Sequence, residues 1–168
     1  MKTNNRVFIE GSTLVDLGSA SGLIVWGFRA CVQGKSHCKC IQSGFDRTLG
    51  ADGKRVLECL RCVAECIGKC GRRKIGLATP GHAHFTRDEA SMLAALSAAQ
   101  TGRNPARDAH LTWLLASAVP ETLQRAIDEI SDGFTRHDLT IAAPAYVGRQ
   151  IVLGEDDGPH KLRLVASA

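Results

Sequence analysis

Apolar residues recur at helical spacing along most of this chain. Ile41, Phe45 and Leu49 stand four residues apart, which predicts an α-helix over about 38–49. Glycine and proline interrupt the pattern and set the ends of the other predicted helices. By this reasoning, further helices are expected at about 12–32, 54–71, 86–100, 106–117 and 120–133.

The helix that begins near residue 86 has the most specific start signal. Thr86 is followed three residues later by Glu89 and then by an apolar run, which is the pattern of a capping box. Thr86 is therefore predicted to cap a helix that continues to Gln100. The residues predicted to face the core from this helix and the next one are Met92, Leu93, Leu96, Ala99, Leu111, Leu114 and Leu115.

Short extended segments complete the predicted elements. Strands are expected at 73–79 and 139–144, and a short strand or loose arm at 6–10. The tail at 145–168 is expected to be a hairpin or a flexible end, because it alternates in places around the turn-forming run EDDG. The prediction is a mainly α, helix bundle-like fold with a few short strands, as a single compact domain over 1–144. An α+β fold is the alternative.

The third predicted helix carries four cysteines at spacings of three, four and four residues. At about 100° per residue, Cys59, Cys62, Cys66 and Cys70 fall in a stripe about 80° wide. Aliphatic residues occupy one side of this stripe and charged residues the other. The cysteines are therefore predicted to lie at the edge of the core, where nearby basic residues would favour the thiolate form that binds metals and reacts with oxidants.

One straight helix cannot close a four-thiolate site. Cys59 and Cys70 are separated by about 16 Å along the helix axis, whereas ligands of one zinc ion lie within about 4 Å of one another. A second thiol pair, about twenty residues upstream, would have to supply the remaining ligands. The candidate metal ligands are Cys38, Cys40, Cys59, Cys62, Cys66 and Cys70, and the candidate cofactors are Zn, Cu(I) or an iron–sulfur cluster.

Three hypotheses for these thiols stay open. A ladder of thiols suits Cu(I), and residues 59–70 resemble the cysteine-lined helices of bacterial copper storage bundles, a resemblance that covers this one helix. The thiols could instead respond to redox state. They could also be packing residues, because free cysteine is among the most buried residue types.

Composition sets the expected compartment and class. The N-terminus lacks the basic and apolar segments of a secretory signal, so a cytoplasmic location is expected. Thiols persist there, and the odd total of seven cysteines also argues against a complete disulfide framework. The chain contains no nucleophile elbow, P-loop, zinc-protease or dinucleotide motif, so we do not expect an enzyme.

Charge is distributed unevenly between the two halves of the chain. Residues 1–75 carry 13 Lys and Arg against 6 Asp and Glu, whereas residues 76–168 carry 8 against 11. The cluster Arg72, Arg73 and Lys74 is the candidate surface for nucleic acid or an acidic protein partner. No apolar run is long enough to span a membrane.

Two functions follow as expectations. The first is a cytoplasmic, thiol-rich regulatory module that binds a soft metal or senses redox state through its clustered cysteines. The alternative is a transcription-associated or protein-interaction domain with structural cysteines and a basic N-terminal half.

Overall fold

Six α-helices account for most of the structure, a computed structural model that describes residues 13–144, 151–152 and 163–164. The mainly α prediction is confirmed. A single turn of 3₁₀-helix over Gly50–Asp52 joins the second and third helices. The helices are α1 (Gly18–Val32), α2 (Lys39–Leu49), α3 (Gly53–Cys70), α4 (Arg87–Gln100), α5 (Asn104–Leu115) and α6 (Glu121–Thr135).

The helices surround one connected aliphatic core. Helix α3 packs against α1, α2 and α6, while α4 packs against α5, α6 and α1. Because α3 and α4 each contact several neighbours, they contribute much of the buried surface. Side chains with no exposed surface at this centre include Leu60, Val63, Leu93, Leu96, Ile127 and Ile130. The residues predicted to face the core from α4 and α5 are buried or, for Ala99, packed against it.

The N-terminal end of α4 has the predicted capping box. The Thr86 hydroxyl accepts a hydrogen bond from the Glu89 backbone N–H at 3.1 Å, and the Glu89 carboxylate accepts one from the Thr86 N–H at 2.9 Å. Two backbone donors of the first turn are thereby satisfied. The predicted cap is confirmed.

Glu89 also forms a buried ion pair with Arg29 of α1. The two side chains are 0% and 1% exposed, and the guanidinium donates to the two carboxylate oxygens at 2.7 and 2.9 Å. The same guanidinium donates to the backbone carbonyls of Thr79, His82 and His84. The pair thus fastens the segment between α3 and α4 onto α1 and α4, and we call it the buried clamp.

The two strands predicted at 73–79 and 139–144 are wrong. In the first segment, the N–H of Gly76 donates to Asp88 and the N–H of Ala78 donates to Glu89. In the second, the N–H of Ile141 donates to the Gln100 side chain at 2.8 Å. Helix side chains rather than a neighbouring strand satisfy these backbone groups.

The other predicted strands lie near the two ends of the chain, where fewer residues are described. Residues 6–10 fall outside the described residues. In the tail, Ile151–Val152 pairs antiparallel with Arg163–Leu164. The residues between these two strands also fall outside the described part, so the choice between a hairpin and a flexible end stays a prediction.

Two glycines allow α2 to approach its neighbours closely. A Cβ atom on Gly53 would lie 2.7 Å from backbone atoms of Phe45 and Asp46. A Cβ atom on Gly27 would lie 2.5 Å from the Phe45 ring. Side chains at these positions would clash, so the glycines permit the close packing of α2 against α1 and α3.

Candidate thiol site

Cys38 lies at the N-terminal end of α2. Its backbone is extended, with φ −63° and ψ 131°, and its carbonyl accepts the N–H of Gln42 at 3.1 Å. Its own N–H donates to the carbonyl of Lys35 at 3.0 Å, which closes the turn before the helix. Cys38 is therefore the N-cap residue, next to the free N–H groups and the positive end of the helix dipole.

The Cys38 and Cys40 sulfurs form an exposed pair 2.7 Å apart. A hydrogen bond from the Cys40 thiol lowers the pKa of Cys38, and backbone N–H groups of the first turn and the charge of Lys35 act in the same direction. The same hydrogen bond raises the pKa of Cys40. The pair is thus unequal, and Cys38 is the more readily ionised of the two thiols. Below, Cys38 and Cys40 are called the N-cap pair.

A second pair lies on α3, where the Cys62 and Cys66 sulfurs are 4.0 Å apart. The Cys66 sulfur is 3.7 Å from the Thr122 hydroxyl of α6. Cys59, Cys62 and Cys66 are all half-buried, which confirms the predicted position at the edge of the core for these three but not for Cys70, which is exposed. Below, Cys62 and Cys66 are called the seam pair because they face the seam between α3 and α6.

The predicted preference for thiolate on α3 is wrong for two of its cysteines. Burial raises the pKa of Cys59, and the charge of Glu129 adds to the effect. Burial also raises the pKa of Cys62, and the neighbouring Cys66 thiol raises it further. Desolvation outweighs the basic residues near this helix because those side chains extend into water, where their charge is screened.

The structure does not bring the two pairs together. Ser36 and His37, in the turn before Cys38, line the same cleft as Lys54 and Arg61 of α3. The seam pair faces α6 instead, and Arg61 and Cys66 are about 140° apart around the helix at 100° per residue. Within the described parts of the chain, no group of three or more His, Cys, Asp or Glu side chains is arranged to hold a metal ion. Metal binding by the six predicted ligands stays a prediction.

Three cysteines, Cys31, Cys59 and Cys70, belong to neither pair. Cys31 is buried in α1, and desolvation raises its pKa to about 11. Cys70 is exposed at the end of α3, where its backbone carbonyl accepts a hydrogen bond from Ser117 at 3.0 Å. Cys70 was among the candidate ligands, yet it lies a full turn beyond Cys66 and forms no sulfur pair with any described residue.

The predicted basic cluster is only partly available to a partner. The Arg73 guanidinium lies 4.2 Å from the centre of the Trp113 ring, donates to the Trp113 carbonyl at 3.1 Å and pairs with Asp88. Arg73 therefore fastens the end of α3 to α4 and α5. Arg72 and Lys74 are exposed on either side of it. Binding of nucleic acid or an acidic protein there stays a prediction.

A cleft of about 370 Å³ lies between α2 and the first half of α3. Its rim includes Ser36 and His37, which directly precede Cys38, and Gln42, which follows one helical turn later. The volume is in the range of small-molecule sites. Sequence reasoning missed this cleft because its walls come from segments whose packing depends on the glycine contacts described above.

Comparisons with known proteins do not indicate a function. A scan against protein-family models, a search of curated proteins and a search of solved structures gave no match. No helix in the described residues is both long and apolar enough to cross a membrane.

Proposed function

We propose that this protein is a redox-responsive thiol module in which the N-cap pair cycles between dithiol and disulfide. The observation that supports this proposal is the exposed contact of 2.7 Å between the Cys38 and Cys40 sulfurs at a helix N-terminus. Cys38 is the nucleophile, and Cys40 is the thiol that resolves the intermediate. A cytoplasmic location, which we still expect from the sequence, would return the pair to the dithiol between oxidation events.

The unequal thiols suit this chemistry. Thiol–disulfide exchange needs an attacking thiolate that is accessible to the oxidant. Cys38 is exposed, and its lowered pKa keeps more of it ionised than an ordinary cysteine at neutral pH. Once Cys38 has been oxidised, its partner is already in contact with it. Disulfides that are exposed are typically the labile, regulatory ones rather than the structural ones.

Mild oxidation followed by tryptic digestion tests the proposal. Trypsin cleaves after Lys39, between the two cysteines, so a disulfide would leave the two peptides joined. We expect the joined peptides after treatment with diamide, and their separation after addition of a reductant. The Cys62→Ser/Cys66→Ser variant is the matched control and should still give the joined peptides. Oxidation confined to other cysteines in the wild-type protein would overturn the proposal.

Soft-metal binding by the seam pair is the second candidate function. Metal–sulfur bonds of about 2.3 Å allow one ion to bridge two sulfurs that are 4.0 Å apart. Zinc sites and iron–sulfur clusters ordinarily need four protein ligands. A pair therefore favours Cu(I), which soft thiolates select and which two of them can hold.

Anaerobic competition for Cu(I) against a coloured chelator tests this second function. We expect one ion per chain, lost in the Cys62→Ser/Cys66→Ser variant and retained in Cys38→Ser/Cys40→Ser. Because burial raises the pKa of Cys62, the ion must displace a firmly held proton, and affinity should increase with pH. Equal binding by both double variants would exclude the seam pair as the site.

A further inference from the structure

The cleft beside the N-cap pair contains charges of both signs. Lys54 and Arg61 project from α3, and Glu58 lies between them on the same helix. Asp46 of α2 faces them across the cleft. All four side chains belong to exposed residues, while the buried Leu57 is part of the lining.

These charged side chains form few ion pairs within the described part of the protein. Lys54, Glu58 and Asp46 form no ion pair with any other described residue. Arg61 has only a long contact of 3.9 Å with Glu65, and both partners are about half exposed. Separated charges of both signs around a concave surface match a ligand that itself carries carboxylate and ammonium groups.

The position of Cys38 connects this cleft with thiol chemistry. His37 directly precedes Cys38, and Gln42 follows it one helical turn later in α2. Both residues line the cleft. Cys38 lies between these two lining residues in the chain, is not itself part of the lining, and is exposed. We infer that the cleft binds a small zwitterionic disulfide, the class formed by two cysteine-containing peptides, and presents its sulfur–sulfur bond to Cys38. This inference rests on the function proposed above for the N-cap pair.

The reaction is a balanced two-electron exchange. The Cys38 thiolate attacks one sulfur of the bound disulfide, which forms a mixed disulfide and releases the first peptide as a thiolate. Cys40 then loses its proton and attacks the Cys38 sulfur, which forms the Cys38–Cys40 disulfide and releases the second peptide thiolate. The two thiols of the protein are oxidised, the substrate disulfide is reduced, and the two released thiolates take up the Cys40 proton and one proton from the solvent.

The test measures trapped mixed disulfide in the Cys40→Ser variant, which cannot resolve it. Glutathione disulfide is the zwitterionic probe, and 2-hydroxyethyl disulfide is the uncharged probe. We expect the rate with glutathione disulfide to saturate with concentration and the rate with the uncharged probe to increase linearly. Adding Lys54→Ala or Arg61→Ala should reduce the first rate about tenfold, the scale of one charge-assisted hydrogen bond, and leave the second unchanged.

A matched control separates cleft binding from general charge. Arg47→Ala removes a positive charge from α2 at a residue that does not line the cleft, so it should change neither rate. Equal rates for both probes, unaffected by Lys54→Ala and Arg61→Ala, would overturn the cleft inference but leave the dithiol function intact. Failure of Cys38 to react with either probe would instead overturn the proposed function.

Discussion

The substitution Glu89→Gln tests whether the buried clamp holds the fold together. Glu89 accepts four hydrogen bonds, two from Arg29 and one each from the N–H groups of Thr86 and Ala78. A glutamine side chain keeps one acceptor oxygen, but its NH₂ group would face the N–H donors that the other carboxylate oxygen now accepts. At least one buried donor would then lose its partner, and the Arg29 charge would have no counterion.

The expected cost follows from burial. Breaking a buried ion pair by removing one partner typically destabilises a protein by about 3–5 kcal/mol, because a charge is left uncompensated. The exposed fractions of 0% and 1% place this pair in that class rather than among surface pairs. Small domains are stable by only about 5–15 kcal/mol, so the variant should lose a large share of the free energy of unfolding.

Urea unfolding followed by circular dichroism measures the effect, with Glu121→Gln as the matched control. Glu121 pairs with Arg125 on α6, where the side chains are 72% and 74% exposed, and its loss should cost well under about 1 kcal/mol. The double variant Arg29→Met/Glu89→Gln should cost less than the sum of the two single changes. A loss below about 1 kcal/mol for Glu89→Gln, with an unchanged dependence on urea, would refute the reasoning.

Three further predictions follow from individual contacts. Thr86→Ala should lower the free energy of unfolding by about 1 kcal/mol in urea, because the cap is lost. Gly53→Ala should destabilise by about 1–3 kcal/mol through overpacking, whereas Gly68→Ala on the same helix meets open space and should stabilise by up to about 1 kcal/mol. Alkylation of Cys38 by iodoacetamide should increase with pH at a lower midpoint than for an ordinary thiol, because the thiolate reacts and is lost only as pH falls through the lowered pKa. Cys31, with a pKa of about 11, should stay unlabelled up to about pH 9. Equal labelling of the two thiols would contradict this assignment.

The helices could be predicted from the sequence because their signals are local. The capping box at Thr86 and the four-residue spacing on α2 each involve residues within one or two turns. The strands at 73–79 and 139–144 could not be predicted correctly, because the groups that satisfy their backbones come from distant helices. For example, the side-chain oxygen of Gln100 accepts a hydrogen bond from the N–H of Ile141, which lies forty-one residues later.

The candidate site could be predicted only in part. The number of cysteines on α3 made that helix the centre of the prediction, whereas the shorter of the two sulfur–sulfur contacts is between Cys38 and Cys40. The predicted helix over about 38–49 already placed Cys38 near a helix start, and a thiol at an N-cap is a signal for a lowered pKa. The cleft offered no comparable signal, since its shape depends on how α2 packs against α3.

Environment rather than number decides what each thiol can do. Cys31 and Cys38 are only seven residues apart, yet burial raises the pKa of the first to about 11, while a neighbouring thiol and the backbone N–H groups at the helix start lower the pKa of the second. Cys62 is half-buried and burial raises its pKa, so it is a poor nucleophile while it keeps its proton. We therefore propose different chemistry for the two thiol pairs on the same small fold: exchange with disulfides at the exposed end of α2, and soft-metal coordination at the seam between α3 and α6.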